Sequence, residues 1–225
     1  MSQPPLPVAF EPEPPVAVVR ETLLSRSPHP SSRAFAGAGV ATLCVVSAVY
    51  WADLGGLGDS LPASGGDVLS RGEYWRLLTC LGVHADGRHL LANAALFGIL
   101  AYLLRGYFGP VAFPLLPVLM GAATTALTLP AYRPDTQLVG ASGMVYAMAG
   151  FWLVLYLLVE RRLRPAKRVL RATGFALVVL APTVLEPRVS YRAHAIGFVL
   201  GTLVGAAFFA LRRERIREAE RVEWE

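Results

Sequence analysis

One serine and one histidine stand where apolar segments of this chain begin, and together they could activate a hydroxyl group as a nucleophile. Ser142 lies within Gly140-Ala141-Ser142-Gly143, where a polar stretch turns into an apolar one. His194 opens another apolar stretch later in the chain. A neutral imidazole can take the proton of a serine hydroxyl and return it to a leaving amine. The two residues therefore predict acyl-transfer chemistry, provided that the fold brings them together.

The position of Ser142 at a helix start would favour such chemistry. The first backbone N–H groups of a helix have no partner within it, so they stabilise an oxyanion that forms beside them. Gly140 and Gly143 leave room for a substrate carbonyl close to the backbone. A serine among small residues is also common packing material between membrane helices. A histidine at a helix end can simply face interfacial water, so each residue alone leaves both interpretations open.

A second polar group precedes the serine in the chain. His89 and Asn93 are four residues apart, so they share one face of a helix. Their side chains could complete an oxyanion hole with the backbone N–H of Ser142, or they could form hydrogen bonds between helices. His84 is either part of a loop scaffold or a wall of the site. The chain has no HExxH pattern, so no metal is expected, and nothing in the sequence implies another cofactor.

The composition is typical of a membrane protein. Hydrophobic residues make up 54% of the 225 residues, charged residues only 16%, and the mean hydropathy is +0.48. A soluble domain carries about 25% charged residues. The net charge is +5, but the arginines lie in short clusters beside apolar runs, which indicates membrane topology and no nucleic-acid partner. Cys44 and Cys80 fit neither a disulfide framework nor a zinc motif, so both are expected to be free thiols.

Six apolar segments, each near the roughly 20 residues that cross a bilayer, predict an all-α membrane protein with six transmembrane helices. In chain order, segments one to six are 34–53, 89–108, 110–130, 142–159, 168–185 and 192–211, which together form one domain over 34–211. The Pro-rich residues 1–33 predict a disordered cytoplasmic tail, and residues 212–225 predict a charged cytoplasmic C-terminal tail. The polar residues 54–88 predict a long first loop at the membrane interface.

The distribution of positive charge predicts how these segments are oriented. The two tails and the connections after segments two and four hold most of the arginines, which places both termini in the cytoplasm. Segments two, four and six then enter the membrane from outside. The shallow external side of the membrane consequently holds His89, Asn93, Ser142 and His194. This shared depth follows only from the alternating direction in which successive segments cross the membrane.

A ladder of glycines on segment six offers a way to bring the serine and the histidine into contact. Gly197, Gly201 and Gly205 are four residues apart, so they lie on one helix face and allow a close approach of another helix. Segment four has small residues at a similar pitch. If the ladder packs there, His194 reaches Ser142.

These residues, taken in order, resemble the rhomboid family of intramembrane serine proteases. The match consists of Tyr74-Trp75-Arg76, His84-xxxx-His89-xxx-Asn93, Gly140-Ala141-Ser142-Gly143-xx-Tyr146 and Ala193-His194-xx-Gly197-xxx-Gly201, and it covers about residues 34–210. The resemblance implies a Ser142–His194 dyad. It also implies an oxyanion hole from His89, Asn93 and the backbone N–H of Ser142.

The resemblance carries further expectations. It implies that Trp75 and Arg76 belong to a structured first loop lying partly in the bilayer. It places Tyr146, which could otherwise be an ordinary core aromatic, beside the catalytic imidazole. Tyr191 and Arg192 depart from the family pattern, because small residues are common there, so the rim near His194 is expected to be bulkier.

The resemblance implies an intramembrane serine endopeptidase in a cell membrane, such as a bacterial inner or plasma membrane. Its partners would be the lipid bilayer and single-span membrane proteins, which such enzymes cut near the external end of the helix, often after a small residue. One alternative is a catalytically silent relative that binds membrane clients, although such relatives commonly lack the serine or the histidine. A small transporter is the other alternative, but the two halves of the sequence show no internal repeat.

Overall fold

The computed structural model describes residues 15–180 and 190–225, and the described part is mostly helical. Seven α-helices follow one another: α1 Ser31–Trp51, α2 Arg76–Thr79, α3 Gly87–Pro110, α4 Leu116–Thr128, α5 Ser142–Val159, α6 Pro165–Leu180 and α7 Tyr191–Arg217. Two strands, β1 Ala17–Glu21 and β2 Arg221–Trp224, lie before and after the helices. Short 3-10 or π turns occupy Leu23–Ser25, Leu54–Asp59, Gly66–Ser70, Val111–Leu115 and Leu129–Ala131.

Four helical stretches within the described residues are long and apolar enough to cross a bilayer, so this is a multi-pass membrane protein. They are Ser31–Trp51, Gly87–Ala131, Ser142–Val159 and Tyr191–Arg217. The expected six transmembrane helices are therefore not all recovered. Segments two and three both fall within the stretch Gly87–Ala131, and segment five corresponds to α6, which begins at Pro165. Residues 181–185 of segment five lie outside the described residues.

The stretch from α3 to α4 is interrupted where segments two and three were expected to meet. Gly109 has φ 83° and ψ −166°, a backbone conformation that favours glycine. Pro110 follows it, and Phe113 adopts an extended conformation before Pro114. Both prolines lack the N–H that a continuous helix requires. The chain therefore passes from α3 to α4 through an irregular joint.

Helix α5 lies at the centre of the described bundle. It packs against α3, α4 and α6, and most extensively against α7. Ala147, Met148, Ala149 and Phe151 on α5 are completely buried. Burial on all sides fits the composition of α5, whose residues after Ser142 and Gly143 are all apolar, apart from Tyr146 and Tyr156.

The expected contact between the glycine ladder and segment four is present in the structure. A Cβ atom at Gly197 would overlap the carbonyl oxygen of Gly143, and one at Gly201 would overlap that of Ala147. At Gly205 an added Cβ would overlap the side chain of Val154. The ladder thus lets the two helix backbones touch. Because the residue numbers of the contacting positions increase together along both helices, α5 and α7 run in the same direction.

The prediction of a disordered tail is wrong for residues 15–33, while residues 1–14 lie outside the described residues. Strand β1 pairs antiparallel with β2, with Val18 opposite Glu223 and Val19 opposite Val222. The prediction gave weight to proline content and overlooked the β-branched residues around Val18, which favour a strand. Helix α7 also continues to Arg217, so the predicted C-terminal tail is helical at its start and ends in a strand.

Candidate active site

The serine occupies the first position of the central helix. Helix α5 begins at Ser142, and its first backbone hydrogen bond runs from the N–H of Val145 to the carbonyl oxygen of Ala141 at 2.8 Å. The N–H groups of Ser142 and Gly143 precede that bond, so they have no partner within the helix. The sharp turn before the helix depends on Gly140, whose φ is 114°.

His194 lies in the first turn of α7, beside the first turn of α5. Ser190 caps α7, since its hydroxyl oxygen accepts from the N–H of Ala193 at 3.1 Å and its carbonyl accepts from the N–H of His194 at 3.1 Å. A Cβ atom placed on Gly143 would lie 3.8 Å from the Cβ of Ala193. The two helix starts therefore approach closely, with Ser142 and His194 each one residue away from the point of approach.

The imidazole is held by stacking rather than by hydrogen bonds. His194 is only 4% exposed, and its ring stacks on Tyr146 with 4.0 Å between centroids and 8° between planes. Tyr146 in turn donates its hydroxyl to the carbonyl oxygen of Val179 on α6 at 3.2 Å. Neither ring nitrogen of His194 has a hydrogen-bond partner, so the Ser142 hydroxyl does not donate to it here. Catalytic hydrogen bonds are often long without substrate and tighten when it binds.

His89 packs against residues 134–141, the segment that leads into α5 and is called the serine loop below. A Cβ atom on Gly140 would lie 2.7 Å from Cε1 of His89, so the imidazole packs directly on the glycine backbone. The ring centroid of His89 is 5.0 Å from that of His84, and His89 is close enough to His194 to interact with it electrostatically. The structure therefore places His89 beside the loop that leads to Ser142.

Asn93 is buried, but its amide is directed to its own helix. The side-chain Nδ2 donates to the carbonyl oxygen of His89 at 2.9 Å. The N–H of His89 is held in turn by the side chain of Asp86, which caps α3 at 2.8 Å. One amide proton of Asn93 is therefore engaged within α3, and a second remains for another acceptor.

His84 is a scaffold residue and does not form a water-facing wall. It is completely buried, and its Nε2 accepts from the N–H of Ala141, the residue before the serine, at 3.3 Å. Its Nδ1 must then carry the proton, which it donates to the hydroxyl of Ser47 at 3.0 Å. The hydroxyl of Ser47 in turn donates a hydrogen bond to the carbonyl oxygen of Gly82 at 2.9 Å. Trp51 donates to the carbonyl of His84 at 2.7 Å, so α1 holds this loop from two positions.

This arrangement requires a neutral histidine. Burial, with a smaller contribution from His89, lowers the pKa of His84 to about 4. An imidazolium would lose the acceptor on Nε2 and leave the N–H of Ala141 without its partner. His84 therefore fixes the start of α5 only in its neutral form.

The first loop and the serine loop form one hydrogen-bonded unit. The loop between α1 and α3 is not a separate surface feature, because its backbone pairs with residues 134–140 just before α5. Backbone hydrogen bonds join the two segments at three places: Ala63 with Leu138, Gly66 with Pro134, and Cys80 with Gly140. The first loop consequently helps to set the position of Ser142.

Arg76 organises the first loop from within. Its side chain is 8% exposed and donates to the carbonyl oxygens of Asp59 at 2.6 Å and Pro62 at 3.0 Å, and to the carboxylate of Glu73 at 2.5 Å. The hydrogen bond from Arg76 lowers the pKa of Glu73. Trp75 beside it is 55% exposed, so it faces away from the folded loop. The loop is structured, as the resemblance implies for Trp75 and Arg76.

A small cavity of about 40 Å³ opens at the serine. It is lined by Cys80, Thr124, Thr125, Leu138, Val139, Gly140, Ser142, Gly143, Ser190 and Ala193. Sequence reasoning missed Thr124, Thr125 and Ser190 as members of the site. The threonine pair inside segment three was a usable signal, since polar residues within a membrane segment mark functional surfaces. Ser190, three residues before Ala193, was a recognisable helix cap.

The remaining polar groups do not join this cluster. Asp135 pairs with Arg133 at 3.3 Å and is largely exposed, while Glu186 lies outside the described residues. Within residues 15–180 and 190–225, no group of three or more His, Cys, Asp or Glu side chains could hold a metal ion. Cys44 is exposed, Cys80 is buried, and both are free thiols.

The fold and the site define a class of protein: a multi-pass helical membrane protein with a serine and a histidine at adjoining helix starts. The Rhomboid domain family matches residues 71–211, so the chain belongs to the rhomboid family. It is similar to RHOMBOID-like protein 1 of Arabidopsis thaliana, with 30% identity over 63% of this chain and 36% of the relative. It is similar to Rhomboid-related protein 2 of Mus musculus, with 28% identity over 62% of this chain and 50% of the relative.

A bacterial relative is covered more fully. YdcA of Bacillus subtilis (strain 168), named as a candidate rhomboid protease, is 26% identical over 66% of this chain and 73% of its own length. The matched part of the chain spans half or less of the two eukaryotic relatives.

Proposed function

We propose that this protein is an intramembrane serine endopeptidase that uses Ser142 as nucleophile and His194 as general base and acid. The observation that carries the proposal is the contact of α5 and α7 through Gly143 and Gly197. In support, Ser142 and His194 lie at the adjoining starts of these two helices, and neither ring nitrogen of the buried histidine has a hydrogen-bond partner among the described residues. Membership of the rhomboid family supports the same activity.

The proposed reaction proceeds by acyl transfer. His194 takes the proton of the Ser142 hydroxyl as its oxygen attacks the scissile carbonyl carbon. The resulting oxyanion lies at the start of α5, where the N–H of Ser142, the ring of His89 and the free amide proton of Asn93 can donate to it. The tetrahedral intermediate collapses as His194 returns the proton to the leaving amine. Water, deprotonated by the same imidazole, then hydrolyses the acyl ester.

We further propose the substrate class and the arrangement in the membrane. The substrates are single-span membrane proteins, cut near the external end of their helix after a small residue, which suits the small cavity beside Ser142. The chain forms six transmembrane helices with both termini in the cytoplasm, and it resides in a cell membrane. The charge distribution along the sequence supports this orientation.

A second candidate, a catalytically silent protein that binds membrane clients, is favoured by one observation. The imidazole of His194 makes no hydrogen bond with Ser142 in this structure. The presence of both residues at adjoining helix starts favours the enzyme, because a client-binding protein has no need of that pair.

The test is cleavage of a model single-span substrate in liposomes by purified protein. Wild type and the matched control Gly174→Ala, which adds a methyl group in open space on α6, should both cleave it. Ser142→Ala should remain folded and be inactive. Substantial cleavage by Ser142→Ala would overturn the mechanism, and binding without cleavage by wild type would support the silent alternative.

A further inference from the structure

Two residues outside the proposed catalytic group tie the start of α7 to the segment that leads to the serine loop. The hydroxyls of Tyr132 and Ser190 are 2.9 Å apart and share a hydrogen bond. Tyr132 follows the 3-10 turn Leu129–Ala131 and precedes the serine loop. Ser190 caps α7 through the N–H of Ala193. The tyrosine hydroxyl thus holds the residue from which α7 begins.

Arg192 supplies a second link between the same two segments. Its guanidinium donates to the carbonyl oxygen of Ala131 at 2.6 Å and lies 5.7 Å from the ring centroid of Tyr132. A cation at this distance from an aromatic ring is attracted to it. Arg192 is one of the residues that depart from the small residues common in the family at this position. The bulky side chain therefore has a structural partner.

The position of the His194 side chain depends on such a link, because no hydrogen bond to either ring nitrogen holds it in the part of the chain that the structure describes. Its position is set by stacking on Tyr146 and by the place where α7 begins. The first turn of α7 carries no cap other than Ser190 within the described residues. We propose that Tyr132, acting through Ser190, is a positioning residue for His194, and that Arg192 reinforces it. This inference rests on the proposed protease function.

The decisive variant is Tyr132→Phe, which removes one oxygen atom and keeps the ring beneath Arg192. A misplacement of about 1 Å at a reacting group can lower a rate by about 10²-fold. Loss of one of several restraints should be milder, so we expect kcat to fall about tenfold while KM changes less than twofold. A purely structural role would instead lower yield and melting temperature and leave kcat of the folded fraction unchanged.

Double variants and a neighbouring control separate the link from general damage. Ser190→Ala should lower kcat at least as much as Tyr132→Phe, and adding Tyr132→Phe to it should cause little further loss, because the shared hydrogen bond is already gone. Arg192→Lys should retain more kcat than Arg192→Gln, since it keeps a cationic donor. Arg133→Gln is the matched control, because Arg133 is exposed and pairs with Asp135 on its own loop, and it should match wild type.

The rate of labelling by a small fluorophosphonate probe measures the reactivity of Ser142 without any substrate helix. Ser142 displaces fluoride from the probe, and this step needs His194 as base but no docking of a membrane protein. Tyr132→Phe should be labelled about tenfold more slowly than wild type, and Ser142→Ala should not be labelled. If labelling and kcat of Tyr132→Phe equal those of wild type, the positioning role is overturned and the protease function stands. If wild type is neither labelled nor active, both are overturned.

Discussion

The two ends of the α5–α7 pair differ in the kind of polar group that they bury. Where the helices begin, His194 is buried with both ring nitrogens unpaired, and the hydroxyl of Thr124 nearby is also buried without a partner. Where they end, the carboxylate of Glu220 is buried between Arg161 at 2.9 Å and Arg217 at 3.4 Å. Strands β1 and β2 add paired charges there.

The difference indicates which end serves stability and which end is available for chemistry. A buried polar group without a partner costs about 1–3 kcal/mol, so an unpaired imidazole is not there to stabilise the fold. Its hydrogen-bonding capacity remains for a substrate or for the serine proton. At the other end the buried carboxylate of Glu220 is engaged by two arginines, although the hydroxyl of Tyr156 and the Nε of Arg217 are also buried there without a partner among the described residues. Changes at the helix starts should therefore alter catalysis, and changes at the helix ends should alter stability.

The largest effect is expected for the two residues of the dyad. Ser142→Ala and His194→Ala should each lower kcat by roughly 10⁴-fold or more, and the double variant should be about as inactive as either single one, because the two groups act as a unit. All three proteins should keep the wild-type melting temperature within a few degrees. Specific activity in liposomes and thermal unfolding check this. Losses that multiply in the double variant would show that the two residues act independently.

Next in size is a change that alters packing and no chemical group. Gly201→Val places a branched side chain against the backbone of Ala147, so it should separate α5 from α7, lower activity by about 10²-fold and reduce the melting temperature. Gly205→Val meets the side chain of Val154 one helical turn further from the start of α7, so it should affect stability more than catalysis.

Gly37→Val is the control for both variants, because a Cβ atom at Gly37 on α1 meets nothing within 4 Å. It should be neutral in activity and in melting temperature. Full activity in Gly201→Val would mean that the close approach of α5 and α7 does not bring His194 to the serine.

Regular patterns along the sequence were enough to predict this packing. The four-residue spacing of Gly197 and Gly201 indicates one helix face, and the alternating direction of the segments places Ser142 and His194 at the same end. Contacts between segments that are distant in the sequence follow no such pattern. The hydrogen bond between Tyr132 and Ser190 joins residues 58 positions apart, and the pairing of β1 with β2 joins opposite ends of the chain. Nothing in a local window specifies either one.

His84 shows the same limit at the level of a single residue. The sequence leaves it open between a loop scaffold and a wall of the site, because that choice depends on Ser47 and Ala141 in distant segments. Its burial is a tertiary effect, and the resulting neutral state has a consequence for acid stability.

A moderate effect is therefore expected at acidic pH. The pKa of His84 is about 4 in the folded protein and about 6.5 in an unfolded chain, so the unfolded state binds more protons between these values. Stability is fully present above pH 6.5 and falls as the pH drops toward 4. Melting temperature measured from pH 7 to pH 4.5 should decrease in wild type and decrease less steeply in His84→Gln. Identical pH curves for wild type and His84→Gln would contradict the role of His84.

The smallest effect is expected at the paired strands. Arg20 on β1 contacts Glu223 at 2.8 Å and also Glu225, but all three side chains are substantially exposed. Exposed ion pairs contribute little, because water screens them and ordering two long side chains opposes them. Arg20→Ala should shift the melting temperature by about 1–2 °C at most and leave kcat unchanged. Glu220→Ala should lower the melting temperature further, because it removes a buried carboxylate that pairs with both Arg161 and Arg217. Both variants should cleave the liposome substrate like wild type once folded. A loss of kcat in Arg20→Ala at an unchanged melting temperature would show that the strands communicate with His194 along α7, and the separation between a stabilising end and a chemical end would no longer hold.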